Sequence, residues 1–294
     1  MTAPATDGYS LECMTILTRV FDELMRAGWP AVEEVDVDGW VVRFSNGVTN
    51  RANSVLPFAA PADVGRTLAT VEAMYAERGL PTVFQVGPSA QPAGLDDVLA
   101  VNGYELGSPT VIMTVDIDHT EVGRPENAAG GLEHVEDGAT AGTSDGAVVV
   151  GVEVAETPDQ GWLDLWWAVD GRGDAGDLAV AEKILAGGPA LYATIRDERG
   201  AAAVGRLALV GEWGGVYCLA VREDARRRGL GAAVLDGLLA AGRERGVTKS
   251  WLQVRAENAG ARRLYQRAGY TEAARYHYRS HRRQEAVQHV DAEA

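Results

Sequence analysis

The tightest constraint in this 294-residue chain lies between residues 216 and 231. There an apolar run, Val216-Tyr217-Cys218-Leu219-Ala220-Val221, leads through Arg226-Arg227-Arg228-Gly229-Leu230-Gly231 into an Ala/Leu-rich helical pattern. A strand, a basic glycine loop and a helix start make an anion cradle. Glycines at 229 and 231 remove the Cβ atoms that would hold a phosphate off the backbone, and the helix offers unpaired N–H groups at its positive end. A diphosphate fits such a loop. A Walker loop would end in Gly-Lys-Ser/Thr, and a dinucleotide fingerprint would set three glycines directly after the first strand of a βαβ unit. Neither is present.

About 30 residues downstream comes Asn258-Ala259-Gly260-Ala261-Arg262-Arg263-Leu264-Tyr265-Gln266-Arg267-Ala268-Gly269-Tyr270. Ala261, Leu264, Tyr265 and Ala268 recur at i, i+3, i+4 and i+7, one face of a short helix. Asn258 suits its N-cap and Gly269 its C′ position. The R-x-x-G-x-G spacing of the first segment and the N-x-x-A-x-x-L-Y-x-x-x-G-F/Y order of the second together resemble the GCN5-related N-acetyltransferase (GNAT) family, whose members bind acetyl-CoA. The likeness is strong over residues 216 to 275 and holds elsewhere in outline.

The length suits two domains of roughly 100 to 150 residues. Glu121–Gly131, rich in Gly, Ala and Pro, reads as the linker, giving domains at about 9–120 and 132–284, with residues 1–8 and 285–294 as frayed ends. The halves repeat weakly. Ala76 to Val86 echoes Arg243 to Val254, and Asn102-Gly103-Tyr104 echoes Ala268-Gly269-Tyr270, which suggests a duplicated domain. In that alignment Leu99 stands where Tyr265 stands, and Ala60-Pro61-Ala62-Asp63-Val64-Gly65 replaces the basic glycine loop. The expected architecture is therefore α+β: tandem GNAT domains, each a mixed, mostly antiparallel sheet flanked by helices, with a degenerate N-terminal copy.

Along the first half, helical spacing covers 11–27 and 64–78, and Ser45-Asn46-Gly47 between apolar runs signals a hairpin. In the second half, strands are expected at 191–196, 202–210, 216–221, 250–255 and 272–280, and helices at 176–186, 230–245 and 259–267.

The resemblance implies that the pantetheine arm of acetyl-CoA lies along the strand at 216–221 like an added strand. On that basis the backbone of Leu219, Ala220 and Val221 meets the pantetheine and thioester, while Arg226, Arg227, Arg228, Gly229, Leu230, Gly231 and Ala232 surround the diphosphate. A fixed N–H polarises the carbonyl, and Tyr265 is the general acid for the departing sulfur. Periodicity alone reads Tyr265 as a core residue. Asn258 either touches the cofactor or only caps its helix. Glu212 and Glu257 are the candidate general bases, and water relays are the alternative. Trp162-Leu163-Asp164-Leu165-Trp166-Trp167 is either core or a cage for an organic cation.

The activity so implied is transfer of an acetyl group from acetyl-CoA to a primary amine of a small molecule, by direct attack in a ternary complex. An antibiotic-inactivating acetyltransferase and a non-catalytic acyl-CoA sensor are the alternatives. With 46% hydrophobic and 23% charged residues the composition is that of a foldable globular chain. A formal charge of −15 argues against nucleic acid or anionic membrane as partners. Cys13 and Cys218 offer neither a disulfide framework nor zinc spacing, and the five histidines form no metal pattern. With no run of about 18 apolar residues and no leader-like N-terminus, a cytoplasmic protein is expected.

Overall fold

The structure, a computed structural model, describes residues 11–107, 109–117, 151–171 and 173–281, with side chains from residue 19 onward. The expected linker, the chain ends and His119, His134 and His289 lie outside the described residues.

The first part of the chain forms α1 (Leu11–Gly28), β1 (Glu33–Val37), β2 (Trp40–Phe44), a 3₁₀ turn at Asn50–Ala52 and β3 (Leu56–Pro57). It continues with α2 (Val64–Glu77), β4 (Thr82–Val86), α3 (Leu95–Val101), β5 (Glu105–Leu106) and β6 (Thr110–Asp116). The second part forms β7 (Glu153–Ala155), α4 (Gln160–Asp170), α5 (Ala175–Leu185), β8 (Ala190–Asp197), β9 (Gly200–Val210) and β10 (Trp213–Val221). A 3₁₀ turn at Glu223–Ala225, α6 (Leu230–Glu244), β11 (Lys249–Arg255), α7 (Ala259–Arg267) and β12 (Thr271–His281) complete it. The fold is α+β, with mixed, mostly antiparallel sheets flanked by helices, and the expected elements of the second half all appear. Among the described residues no helix is long and apolar enough to cross a membrane.

The first half departs from expectation at its hairpin. The turn that joins β1 to β2 is Asp38-Gly39, with φ of 51° and 83°, the left-handed pair that a two-residue hairpin requires. Asn46-Gly47 also turns with positive φ, but the return strand begins only at β3, whose Leu56 and Pro57 pair antiparallel with Val41 and Trp40. Buried Asn53 takes over the backbone there. Its Oδ1 accepts from the N–H groups of Ser45 and Gly47 at 2.7 and 2.8 Å, and its Nδ2 donates to the carbonyls of Val48 and Thr49 at 2.7 and 2.8 Å. One side chain thus satisfies four backbone groups that a ladder would otherwise have taken. The resulting loop carries Arg51 at the centre of its 3₁₀ turn.

The strands form a small sheet, β1-β2-β3, and a large one in the order β4-β12-β6-β11-β10-β9-β8-β7, with β5 beside β12. Among the described residues only β10 and β11 are parallel within the large sheet's path. Pairing crosses between the two parts of the chain in both directions. Strand β6 lies between β11 and β12, matched to β11 from Lys249↔Asp116 to Arg255↔Thr110. Strand β12 then changes partner: residues 271–276 pair with β6, and His277–His281 with β4. Asp96 on α3 fastens the crossing through Arg279, at 2.7 and 3.0 Å, and through His277 at 2.7 Å. These contacts hold the Asp96 carboxyl down to about 2, the Arg279 bond contributing most.

Each face of the large sheet has its own core. Leu230, Val234, Leu235, Leu238 and Leu239 form the inward stripe of α6 and are at most 6% exposed; with Val216, Leu252, Tyr265 and Tyr270 they cover one face. Each such leucine contributes about 1.5–3 kcal/mol relative to exposure. The opposite face carries α1, α4 and α5 over Tyr217, Trp251 and Tyr276. The guanidinium of Arg206, wholly buried there, donates to the carbonyls of Gly28 and Leu185 at 2.8 and 3.3 Å, tying α1 to the second half.

Removing residues 110–116 strips β11 and the start of β12 of their shared partner. A chain cut to residues 132–284 is therefore expected to be insoluble or to unfold without a cooperative urea transition; a soluble fragment with a sharp transition would contradict the exchange.

Candidate functional site

Strands β10 and β11 pair from Trp213↔Lys249 to Val216↔Leu252 and then part. The separation begins where β10 bulges against β9, whose register jumps from Tyr217↔Arg206 to Ala220↔Val204. Cys218 in the bulge has φ 55°, and the extra residue turns the strand away from β11. Among the described residues no strand lies against the β11-facing edge of Cys218–Val221. Such an edge is open to the amides of an extended ligand.

The gap leads directly into the basic loop. Arg222 anchors its start, with bonds to Asp197 at 2.5 Å and Asp224 at 2.7 Å, and Arg226 Nε donates to the carbonyl of Val221 at 3.3 Å. Arg227 and Gly229 are left-handed, with φ of 63° and 78°. Gly229 is the N-cap of α6 and brings no side chain to close it. Among the described residues no carbonyl accepts from the N–H groups of Arg227 through Gly231, whereas Ala232, an expected donor to the ligand, gives its N–H to the carbonyl of Gly229 at 3.0 Å. Leu230 offers only its backbone, its side chain being buried. A Cβ on Gly231 would stand 3.6 Å from Val221 Cγ2, an ordinary contact, so the protein itself has room for a side chain there. Arg226, Arg227 and Arg228 are exposed, and among the described residues no carboxylate pairs with them. Free N–H groups, a helix N-terminus and three cations suit a diphosphate.

The first half shows the contrast. At the corresponding helix start the Asp63 carboxylate accepts from the N–H of Arg66 at 3.0 Å. An anion already occupies that terminus.

Tyr265 lies on the inward face of α7, 9% exposed, with its ring edge-on to Tyr270 at 6.0 Å. Burial pushes its phenol up to about 12, eased by the charge of Arg51 and reinforced by that of Asp170. Among the described residues its hydroxyl has no hydrogen-bond partner. The Asn258 side chain caps α7, accepting from Ala261 N–H at 3.0 Å.

Across the sheet at the same gap stands a polar cluster that the sequence reading missed. Tyr217 and Gln253 are the first residues past the last paired register of β10 and β11. Gln253 Oε1 accepts from Tyr276 hydroxyl at 2.6 Å and from Arg51 Nε at 3.0 Å, and its Nε2 donates to Tyr217 hydroxyl at 3.4 Å. Tyr278 hydroxyl lies 3.5 Å from that of Tyr276. Burial drives the Cys218 thiol well above its ordinary range, so it is a protonated wall of the gap and not a nucleophile.

The structure does not bring Glu212 to this place. It precedes β10 at the opposite end, seven residues before Leu219, roughly 20 Å away at about 3.3 Å per residue. There it is held by Lys249 at 2.8 Å, which lowers its carboxyl, and it is no base for a group in the gap. Glu257 is exposed and paired with Arg255 at 2.8 Å. Trp162 and Trp166 are core, 0% and 3% exposed, and Asp164 accepts from Gln160 on the surface, so no cation cage forms.

A splayed parallel pair, a bulge and an open helix start define a known class of fold. The GCN5-related N-acetyltransferase from Kribbella flavida superposes with a TM-score of 0.60 at 19% identity, covering 90% of this chain and 95% of that one. A tandem GNAT protein from the clavulanic acid biosynthesis pathway superposes with a TM-score of 0.54 at 14% identity, over 74% of this chain and 69% of that one. In sequence, the uncharacterized N-acetyltransferase YobR of Bacillus subtilis is 27% identical over 266 residues, 89% of this chain and 97% of the relative. The family described as "Probable histone acetyltransferase Rv0428c C-terminal" matches residues 18–279, and the chain belongs to it, within the GNAT acetyltransferases.

The two loop glycines separate by their backbones. Gly229→Ala is expected to cost about 1–2 kcal/mol because of its left-handed φ. Gly231→Ala is expected to leave stability unchanged or raise it by up to about 1 kcal/mol. Urea unfolding of the two variants checks both values.

Proposed function

We propose that this protein transfers an acetyl group from acetyl-CoA to a primary amine of a small molecule, by direct attack in a ternary complex at the gap between β10 and β11. The observation that carries this reading is the continuity of an unpaired strand edge, Cys218–Val221, with an uncapped helix start lined by arginines. On this reading residues 132–284 are the catalytic stretch and residues 9–120 a degenerate copy.

Bound acetyl-CoA supplies an acyl thioester, whose C–S bond breaks as the amine nitrogen forms the new C–N bond. The backbone of Leu219, Ala220 and Val221 pairs with the pantetheine amides, and an N–H on this edge holds the charge that develops on the carbonyl oxygen. The N–H groups of Arg227 to Gly231, with the Arg226, Arg227 and Arg228 side chains, hold the diphosphate. Asn258 fixes the start of α7 and thereby the position of Tyr265. Burial keeps Tyr265 protonated far above neutrality, so it donates its phenolic proton toward the sulfur side of the gap. Water carries away the proton that the amine releases, the role that Glu212 does not fill from the other end of β10.

Tyr265→Phe is expected to lower kcat by about 10²-fold or more while acetyl-CoA affinity stays within about twofold. Because the phenol sits near 12, kcat should rise with pH as the amine deprotonates and show no descending limb before about pH 10. Gly231→Glu sets a carboxylate where the diphosphate is to lie and is expected to weaken acetyl-CoA binding by at least about tenfold. Calorimetry and a free-thiol assay read these outcomes. Unchanged affinity in Gly231→Glu, or no heat with acetyl-CoA for the unaltered protein, would refute the reading.

A further inference from the structure

Arg51 belongs to the first half of the chain, yet it stands at the mouth of the gap in the second. The loop that carries it is set by Asn53, and the side chain crosses to β11, where its Nε meets Gln253 at 3.0 Å. That single bond uses one of the five donors of a guanidinium. Among the described residues no carboxylate is within ion-pair distance of it, and no acceptor takes its terminal nitrogens. The side chain is partly buried, and the hydroxyls of Tyr217 and Tyr276 share its partner Gln253, with that of Tyr278 next to Tyr276. A cation withdrawn from water in this way, with most of its donors unspent, is a site for an anion.

That anion is not the diphosphate. Arg51 meets the sheet on the face of Tyr217, Trp251 and Tyr276, whereas the basic loop and α6 lie on the face of Tyr265. Anchors for the two ends of the reaction thus sit on opposite faces and converge at the gap.

A group of opposite sign lies near the same space. Asp170 ends α4, is exposed, and among the described residues makes no ion pair or side-chain hydrogen bond. Its charge acts on Arg51, Cys218 and Tyr265, three groups that bound the gap. The negative end of the α4 dipole adds to it. One unspent cation at the gap, held against Gln253, and one unspent carboxylate near it match a zwitterion.

Resting on the acetyl-transfer reading above, we infer that the acceptor is an amino acid or a small amino-acid derivative, whose carboxylate is anchored by Arg51 while its amine lies toward Asp170 and the gap. The first half of the chain is then a specificity element for the second. It supplies the side chain that anchors the acceptor's acidic end, with the Tyr278 hydroxyl as a further donor, the Tyr276 proton being held by Gln253.

The test uses the full chain and two measurements. Acetyl transfer is followed for the twenty protein amino acids, each beside its carboxamide, in the unaltered protein and in Arg51→Gln. At least one free amino acid should be preferred to its carboxamide by about 30-fold or more in kcat/KM. Arg51→Gln should shrink that ratio to within about threefold of unity, chiefly through KM, with acetyl-CoA affinity and thermal midpoint essentially unchanged. Calorimetry with the N-acetylated form of the preferred amino acid, or with all twenty N-acetyl amino acids if transfer is silent, should show binding that Arg51→Gln abolishes. Equal use of acid and carboxamide, an equal loss of both in Arg51→Gln, or N-acetyl amino acid binding indifferent to Arg51 would overturn the inference. Failure of the parent reading looks different: no heat with acetyl-CoA and no transfer to any amine, while Arg51-dependent binding of N-acetyl amino acids still reports on the anchor.

Discussion

Strand β6, taken from the first part of the chain and held between β11 and β12, is the constraint on which the rest of the architecture depends. Strand β11 forms one wall of the gap and leaves β10 after Leu252, so among the described residues no strand pairs with the β10-facing edge of Gln253 and Val254. Strand β6 satisfies its other edge along all seven residues. Without that partner, β11 would be a half-paired strand at the sheet centre, with backbone groups unsatisfied on both sides. The gap is therefore a property of both parts of the chain, although both motif segments lie in the second.

The same exchange brings the first half to the gap between β10 and β11. Strand β12 passes from β6 to β4, and Asp96, Arg279 and His277 lock the crossing. Arg206 closes the other flank by binding the end of α1. With both flanks fixed, the loop organised by Asn53 can place one arginine against Gln253 to within hydrogen-bond distance. The second part keeps an open helix start at α6, whereas the corresponding start of α2 in the first is capped by Asp63.

Charge shows the same economy of placement. The chain carries a formal −15, yet acetyl-CoA is itself an anion. The proposed diphosphate site overcomes this locally, with three exposed arginines and a helix terminus, while the nearby Asp197 and Asp224 are engaged by Arg222 and Arg199. Short-range cations within a Debye length outweigh the distant surface surplus.

The sequence by itself determined the local elements from α5 to β12 and the two motif segments, but neither β7 nor α4. Strand, loop and helix from Val216 to Gly231, and the capped α7 with Tyr265 facing inward, follow from apolar period, glycine conformation and capping chemistry, all of which act within a few residues. What only the tertiary structure decided is which strands are neighbours, and so what surrounds the gap. Period-2 patterning assigns a residue to a face but names no partner strand, so nothing local in Thr110–Asp116 announces that it completes the far sheet. Asn46-Gly47 carries a true turn signal, but the side chain of Asn53 holds the backbone after it in a loop and delays the return strand to Leu56-Pro57. Glu212 is close to β10 in sequence and at the wrong end of it in space. Arg51 and Gln253 stand 202 positions apart, and their meeting depends on long-range pairing that no window of the chain contains.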